Sequence, residues 1–567
     1  MDKPLSKSWD CESLCNVAGA LAEQSKLQPD VIAVRYPDER PFRKGKYRTC
    51  SYYQLDHLSN RYAHGLQAYG IGPGVRTVLM VSPGLEFIAM FFALFKAGAI
   101  PVLIDPGMGL KPLEQCLREA EPQAFVGIFK AQMARKLKGW AKDSCKSFVT
   151  VGPSYGLNRI LGSISTRQLT RLASNNTQDI LHPAKGDDMA AILFTSGSTG
   201  APKGVVYRHR HFTAQVGLLK RSFEIEPGEV GLSTFPPFAL FDPALGMTTV
   251  VPRMDPSRPA AADPQHLVDI IEEFQITSIF GSPALMDNLS RFCEQNKLRM
   301  WSPKRVISAG AAVPIATIRR MEQVLANDAL IHTPYGATEC LPVSTVSSAE
   351  LNKQVTEMTE SGEGICVGKP VAPNRVRVIR ITDNAIGDLS EVTDMPIGMV
   401  GEIIVNGPSC TDTYWAREAD TQLAKINGED GAIWHRMGDA GILDGRGCLW
   451  YCGRLSQRVN TGTETLFPDQ VEGIFNQHPD AARTALVGVG PQGAQVPVLC
   501  VELLRELAPV DMERVHYDLL QLAQAFPLTR SVRTVLFHPG FPVDSRHNSK
   551  IHRDELAAWA LQKMQQS

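Results

Sequence analysis

The sequence has almost no net charge. Its 58 basic and 59 acidic residues leave a formal charge of −1, so it carries no global electrostatic footprint for nucleic acid. It also lacks a long hydrophobic run. The most apolar stretch, around Phe87 to Ile104, contains Lys96 and Pro101 and is too short to span a bilayer, which leaves at most peripheral membrane contact. The N-terminus, Met-Asp-Lys-Pro-Leu-Ser-Lys, has no apolar core of the signal-peptide kind. No Cys-x-x-Cys pair occurs among the 12 cysteines. That spacing argues against zinc, and free thiols in a reducing cytoplasm are the expectation. Repeats, heptads and low-complexity segments are missing, which excludes solenoids, coiled coils and disordered arrays.

What is present is ordinary globular material in quantity. The chain has 567 residues, 44% hydrophobic and 21% charged, which implies more than one domain or subdomain. Thr77–Ser82 reads as a buried strand, Leu85–Ala97 as a helix and Ile100–Ile104 as the next strand. That rhythm predicts an α/β fold with mainly parallel sheets. A polar loop is expected over 175–185. A further strand is expected over Met189–Phe194, and a helix from near Arg210 with Phe212, Val216 and Leu219 on its apolar face. From Cys366 to Trp450 the pattern turns β-like, predicting a small β-rich subdomain over 365–452. The character changes again after Arg454 to a compact α+β tail.

The densest chemical signal is Thr195-Ser-Gly-Ser-Thr-Gly-Ala-Pro-Lys-Gly204, directly after a predicted strand. Thr195, Ser196, Gly197, Ser198, Thr199 and Gly200 offer hydroxyls and exposed backbone N–H groups to phosphate oxygens, and glycine permits close approach. Lys203 adds a mobile positive charge. The Gly-Lys-Ser/Thr ending of a Walker A loop is absent, and Pro202 stands where that pattern wants glycine.

This decapeptide resembles the phosphate loop of the adenylate-forming superfamily, which includes acyl-CoA synthetases, peptide-synthetase adenylation domains and luciferases. Further blocks follow in the same order. Tyr335-Gly336-Ala-Thr338-Glu339 is similar to the second signature. The resemblance implies Glu339 as ligand to a Mg²⁺ bridging the ATP phosphates, Thr338 on the α-phosphate and Tyr335 with Gly336 against adenine. Ser308-Ala-Gly310-Ala311 resembles the adenine-side loop. Gly401–Gly407, continuing to Tyr414-Trp415, matches a block read as structural. Met437-Gly-Asp439 resembles the ribose block, with Asp439 accepting from both hydroxyls, and Arg454 would reach ribose or phosphate. Asn548-Ser-Lys550 is similar to the C-terminal Asn-Gly-Lys, which makes Lys550 the lysine bridging substrate carboxylate and α-phosphate. Ser456 and Ser549 depart from the common pattern at the hinge and before that lysine. The implied organisation is a large N-terminal domain over 1–455 and a small mobile C-terminal domain over 456–567, which must swing to bring Lys550 to the phosphate.

Narrower segments resemble the olefin-biosynthesis β-lactone synthetases. They are Tyr207–Phe212, Phe235–Gly246, Thr333–Pro342 and Phe541–Asn548. The resemblance implies ATP-dependent adenylation of a long-chain 2-alkyl-3-hydroxy acid, whose 3-hydroxyl then displaces AMP to give a β-lactone. It also implies a thiolase-like condensing enzyme, a ketoreductase and a β-lactone decarboxylase in the same pathway. Phe235, Phe238, Leu240 and Phe241 are candidates for the acyl site, and His209 and His211 for contact with the hydroxyl. A fatty acid–CoA ligase is the competing reading. A peptide-synthetase module is disfavoured because the chain ends soon after Lys550. A non-enzymatic binding protein is disfavoured by the intact phosphate loop, Glu339 and Lys550.

Overall fold

The computed structural model describes all residues except 1–14, 39–44, 154–155, 174–175, 177, 196–200, 236–239, 507, 544–549 and 567. Two large sheets dominate. The first has seven strands, in the spatial order Ile164–Ser165, Ser147–Val151, Ala124–Ile128, Arg76–Met80, Ile100–Leu103, Met189–Phe194, Gly204–Arg208. All neighbours are parallel except the last pair. Leu85–Ala97 is the helix expected between two of these strands, buried along nearly its whole length. It ends at Gly98, which is left-handed at φ +79, a C-terminal cap that glycine adopts without strain.

Successive residues of a strand face opposite sides, and here both sides are apolar. Leu79, Ala191 and the Phe87–Phe95 rings form one core cluster on one face. Val78, Val102, Phe125 and Ile192 form another on the reverse. Buried on both faces, the strands read as continuous hydrophobic runs, as parallel sheets do.

The second sheet has fourteen strands. Its parallel part includes Val230–Ser233, Ser278–Gly281, Arg305–Ser308 and Leu330–Ala337. From there it becomes antiparallel through Cys340–Ser347, Ile365–Pro370 and Leu449–Arg454. The β-rich segment expected over 365–452 is therefore hydrogen-bonded into the larger sheet, joined by the pairs Ser344↔Pro370 and Thr345↔Lys369.

The tail forms a three-stranded sheet of Ala481–Val489, Val496–Leu503 and Thr534–Phe537, with helices Pro509–Ala525 and Arg553–Gln566. Two hydrophobic clusters there draw only on residues from Val459 onward, so this small C-terminal domain has a core of its own. It is tied to the large domain by Arg458–Asp383 at 2.6 Å and by Gln470 donating to the Gly362 carbonyl at 2.9 Å. The cysteines among the described residues are free thiols; Cys11 lies outside them. No helix of the described residues is long and apolar enough to cross a membrane.

Candidate active site

The carboxyl ends of the parallel strands open into a cavity of about 1360 Å³, the place where open α/β sheets hold ligands. Thr195 and Lys203 line it. They flank the phosphate loop at the tip of a β-hairpin, closed by Thr195 N–H donating to the Lys203 carbonyl at 3.0 Å. The sequence led from that loop straight to a helix. The structure inserts the strand Gly204–Arg208 first, as the run Val205-Val206-Tyr207 favours. Ser196, Gly197, Ser198, Thr199 and Gly200 lie outside the described residues, as does Phe238.

Lys203, expected as a mobile charge, is paired in this structure. Its ammonium pairs with Asp420 at 2.7 Å and stands 5.2 Å from the centre of the Tyr414 ring. Residues 413–415 run along the strand Gly204–Arg208, with Val206 N–H donating to the Thr413 carbonyl and Trp415 N–H to that of Gly204. This pairing carries the Tyr414 hydroxyl to Glu339 Oε1, to which it donates at 2.7 Å. The block read as structural thus supplies a neighbour of the expected metal ligand.

Thr338 and Glu339 line the cavity, as do Gly336, Ala309 and Gly310. A Cβ on Gly336 would stand 2.6 Å from the Cys340 carbonyl oxygen, so the turn admits only glycine without a backbone shift. Gly310 has φ +99. Ala311 is half-buried outside the lining. Tyr335 does not line the cavity either. Its hydroxyl donates to Asp439 Oδ2 at 2.6 Å, which ties the residue expected against adenine to the one expected at the ribose.

Asp439 is 2% exposed. Arg454 Nη1 lies 3.0 Å from its Oδ1, yet that oxygen accepts no hydrogen bond of good geometry. A buried carboxylate oxygen in this state can take a donor such as a ribose hydroxyl; Asp439 does not itself line the cavity, whereas its neighbours Met437, Gly438 and Arg454 do. Burial pushes the Asp439 carboxyl up, against the pull of Arg454. Arg454 is itself raised by the Asp439 charge, which keeps it a cation.

Glu339 suits Mg²⁺ in its chemistry, because this ion takes one or two carboxylates and completes its shell with substrate phosphates and water. Lys550 lines the same cavity as Lys203, Thr338 and Glu339. In this structure the small domain already stands with Lys550 at the cavity. The tail helix that follows is held by Arg553, which donates to both oxygens of Glu472 at 2.6 and 3.0 Å and to Gln457 at 3.2 Å. Sequence reasoning missed His435, which also lines the cavity. Its Nδ1 faces the Ala424 carbonyl at 3.2 Å. That contact places the proton on Nδ1 and leaves Nε2 an acceptor, and burial keeps the ring neutral.

Phe235, Leu240 and Phe241 line the cavity as expected of the acyl site. His209 and His211 do not. Both are turned inward because their ring nitrogens accept backbone N–H groups: His209 Nδ1 from Val17 at 3.2 Å, His211 Nδ1 from Arg208 at 3.0 Å. Burial lowers the His209 pKa from 6.5 to about 4. A depressed folded-state value means the unfolded chain takes up this proton first, so stability falls as the pH drops from 6.5 towards 4. The full cost is on the order of 3 kcal/mol. His209→Gln, which can still accept from Val17, should flatten this part of the denaturant-stability profile relative to wild type. Parallel profiles for the two proteins would show that His209 does not carry the effect.

Comparison with known proteins agrees with this geometry. Residues 21–415 match the AMP-binding enzyme family. The chain is 49% identical over 97% of its length to the olefin β-lactone synthetase of Xanthomonas campestris pv. campestris, covering 98% of that protein. It is 49% identical over 96% of its length to the olefin β-lactone synthetase of Stenotrophomonas maltophilia, again covering 98%. In fold it is similar to the anthranilate CoA ligase AuaEII, with a TM-score of 0.77 at 19% identity over 98% of this chain and 99% of that one. The chain belongs to the AMP-binding enzyme family and, within it, to the group that contains the olefin β-lactone synthetases.

Proposed function

We propose that the protein uses ATP to adenylate a long-chain 2-alkyl-3-hydroxy acid and closes the acyl-AMP to a β-lactone, releasing AMP and pyrophosphate. The observation that carries this reading is one continuous cavity. It joins Thr195, Lys203, Thr338, Glu339 and Lys550 to a deep apolar lining that includes Phe235, Leu240 and Phe241. The activity named for the relatives that match over nearly the whole chain supports it.

In this reading Asp439 and Arg454 hold the ribose, and Thr195 with the loop after it holds the phosphates. Glu339, oriented by Tyr414, would hold Mg²⁺, which when bound neutralises phosphate charge. The substrate carboxylate attacks the α-phosphorus in line and pyrophosphate leaves. Lys550 and Thr338 meet the charge that grows on the α-phosphate oxygens. The 3-hydroxyl is tethered two carbons from the activated carbonyl, so its attack is unimolecular and gains a large effective molarity. The apolar walls keep out water that would hydrolyse the acyl-AMP. The hinge of the small domain falls at Leu455-Ser456, and the pathway partners are a condensing enzyme, a ketoreductase and a β-lactone decarboxylase in the cytoplasm.

The test is turnover without CoA. Given ATP, Mg²⁺ and the hydroxy acid, the enzyme should release AMP, pyrophosphate and a β-lactone over many cycles, and removal of the 3-hydroxyl should stall it after adenylation. Acceleration by CoA with appearance of a thioester would instead establish an acyl-CoA ligase.

A further inference from the structure

The cavity wraps around the edge of the seven-stranded sheet. Three pairs of consecutive residues at strand ends line it: Leu79 and Met80, Leu103 and Ile104, Leu193 and Phe194. Consecutive strand residues face opposite sides. Accordingly Leu79, Leu103 and Leu193 pack with the cluster on one face, and Met80, Ile104 and Phe194 with the cluster on the reverse. The cavity therefore runs down both faces of one sheet from a shared head at Thr195 and Lys203.

The two branches differ in kind. On the front face the lining comes from the helices Leu85–Ala97 and His209–Ser222, with Phe87, Phe91, Phe92, Phe95, Phe212 and Val216. The four rings of the first helix are at most 5% exposed, so this branch is walled by buried aromatic side chains. On the reverse face the lining comes from Leu110–Ala120 and Phe129–Lys138, with Leu113, Ala131 and Ala134, and from Trp140 beyond them. There Ala131 and Ala134 are small, Trp140 beyond them is 7% exposed, and Leu110, which starts its helix close after the strand end, is 58% exposed.

We infer that the two hydrocarbon arms of the substrate straddle the sheet, one on each face, with the carboxyl head at the strand ends. A single unbranched acyl chain needs only one of these branches; an acid branched at C2 and C3 needs two that meet at the head. This inference rests on the β-lactone reading for the substrate class.

The test narrows each branch separately. Ala134→Phe fills the reverse throat and Val216→Phe the front one. Each is assayed by pyrophosphate release with the two-armed acid and with two clipped acids, one with methyl at C2 and one with methyl at C3. Each variant should lose roughly tenfold or more in kcat/KM on the two-armed acid, because overfilling an apolar site is costly. Each should recover near wild-type turnover with one clipped acid, and the two variants should be rescued by different ones. Ala134→Leu should repeat the Ala134→Phe ranking at smaller amplitude, and rescue itself shows that the variants fold. Equal loss on all three acids, no loss on any, or rescue of both variants by the same clipped acid would overturn the assignment. Pyrophosphate release reports adenylation whatever the acceptor, so a thioester product would refute the lactone reading without deciding where the arms lie.

Discussion

Lys550→Ala should slow acyl-AMP formation by roughly a hundredfold to a thousandfold while ATP affinity changes only a few fold. Lys550 lines the cavity beside Thr338 and Glu339, and it is delivered there by the small domain rather than by the sheet that holds the nucleotide. A cation that meets charge developing on the α-phosphate contributes mainly in the transition state. Its loss therefore appears in kcat more than in ground-state binding. Pyrophosphate exchange gives the rate and equilibrium titration the affinity. Adenylation at the wild-type rate would mean that Lys550 has another role.

Asp439→Asn should behave in the opposite way, weakening ATP binding roughly tenfold to a hundredfold, the worth of one or two hydrogen bonds to a charged acceptor. At saturating ATP the rate should be little changed. Asparagine preserves the side-chain size and retains an oxygen for Tyr335. Arg454, with a side chain 35% exposed, keeps access to water when its counter-charge is removed, which limits the structural damage. An effect confined to kcat would contradict the ribose assignment.

The motifs were legible because each is local. A strand followed by a glycine- and hydroxyl-rich loop, or an aspartate two residues after a methionine, can be read within a short window. The continuous apolar runs along Arg76–Met80, Ile100–Leu103 and Met189–Phe194 also read as buried parallel strands without any tertiary knowledge. What escaped was long-range. Tyr414 reaches Glu339 across 75 positions, and His209 accepts from Val17 across 192; no periodicity encodes such pairs. The histidines open a helix, where exposure is the usual expectation, and they are buried because backbone donors from elsewhere meet their rings. Joining of the β-rich segment to the second sheet rests on register between Cys340–Ser347 and Ile365–Pro370, which the hydrophobic pattern of neither strand announces. Lys203 looked free because Asp420 lies on a different element.

At the ordinary strand spacing, fourteen strands make a lamina roughly 60 Å wide. It is not equally strong throughout. Only two residue pairs join Cys340–Ser347 to Ile365–Pro370 within its antiparallel part, supplemented by Val371 N–H donating to the Val343 carbonyl at 2.9 Å and the Ser344 hydroxyl to the Val367 carbonyl at 2.8 Å. Such a seam is where a cooperative unit detaches when a protein opens short of global unfolding. Asp439 and Arg454 lie on the antiparallel side, and Thr338 and Glu339 follow the last parallel strand on the other. Partial opening along this line would separate Asp439 and Arg454 from Thr338 and Glu339. A nucleotide bound across it would act as a rivet, adding its own contacts to the few backbone pairs that join the two parts of the sheet.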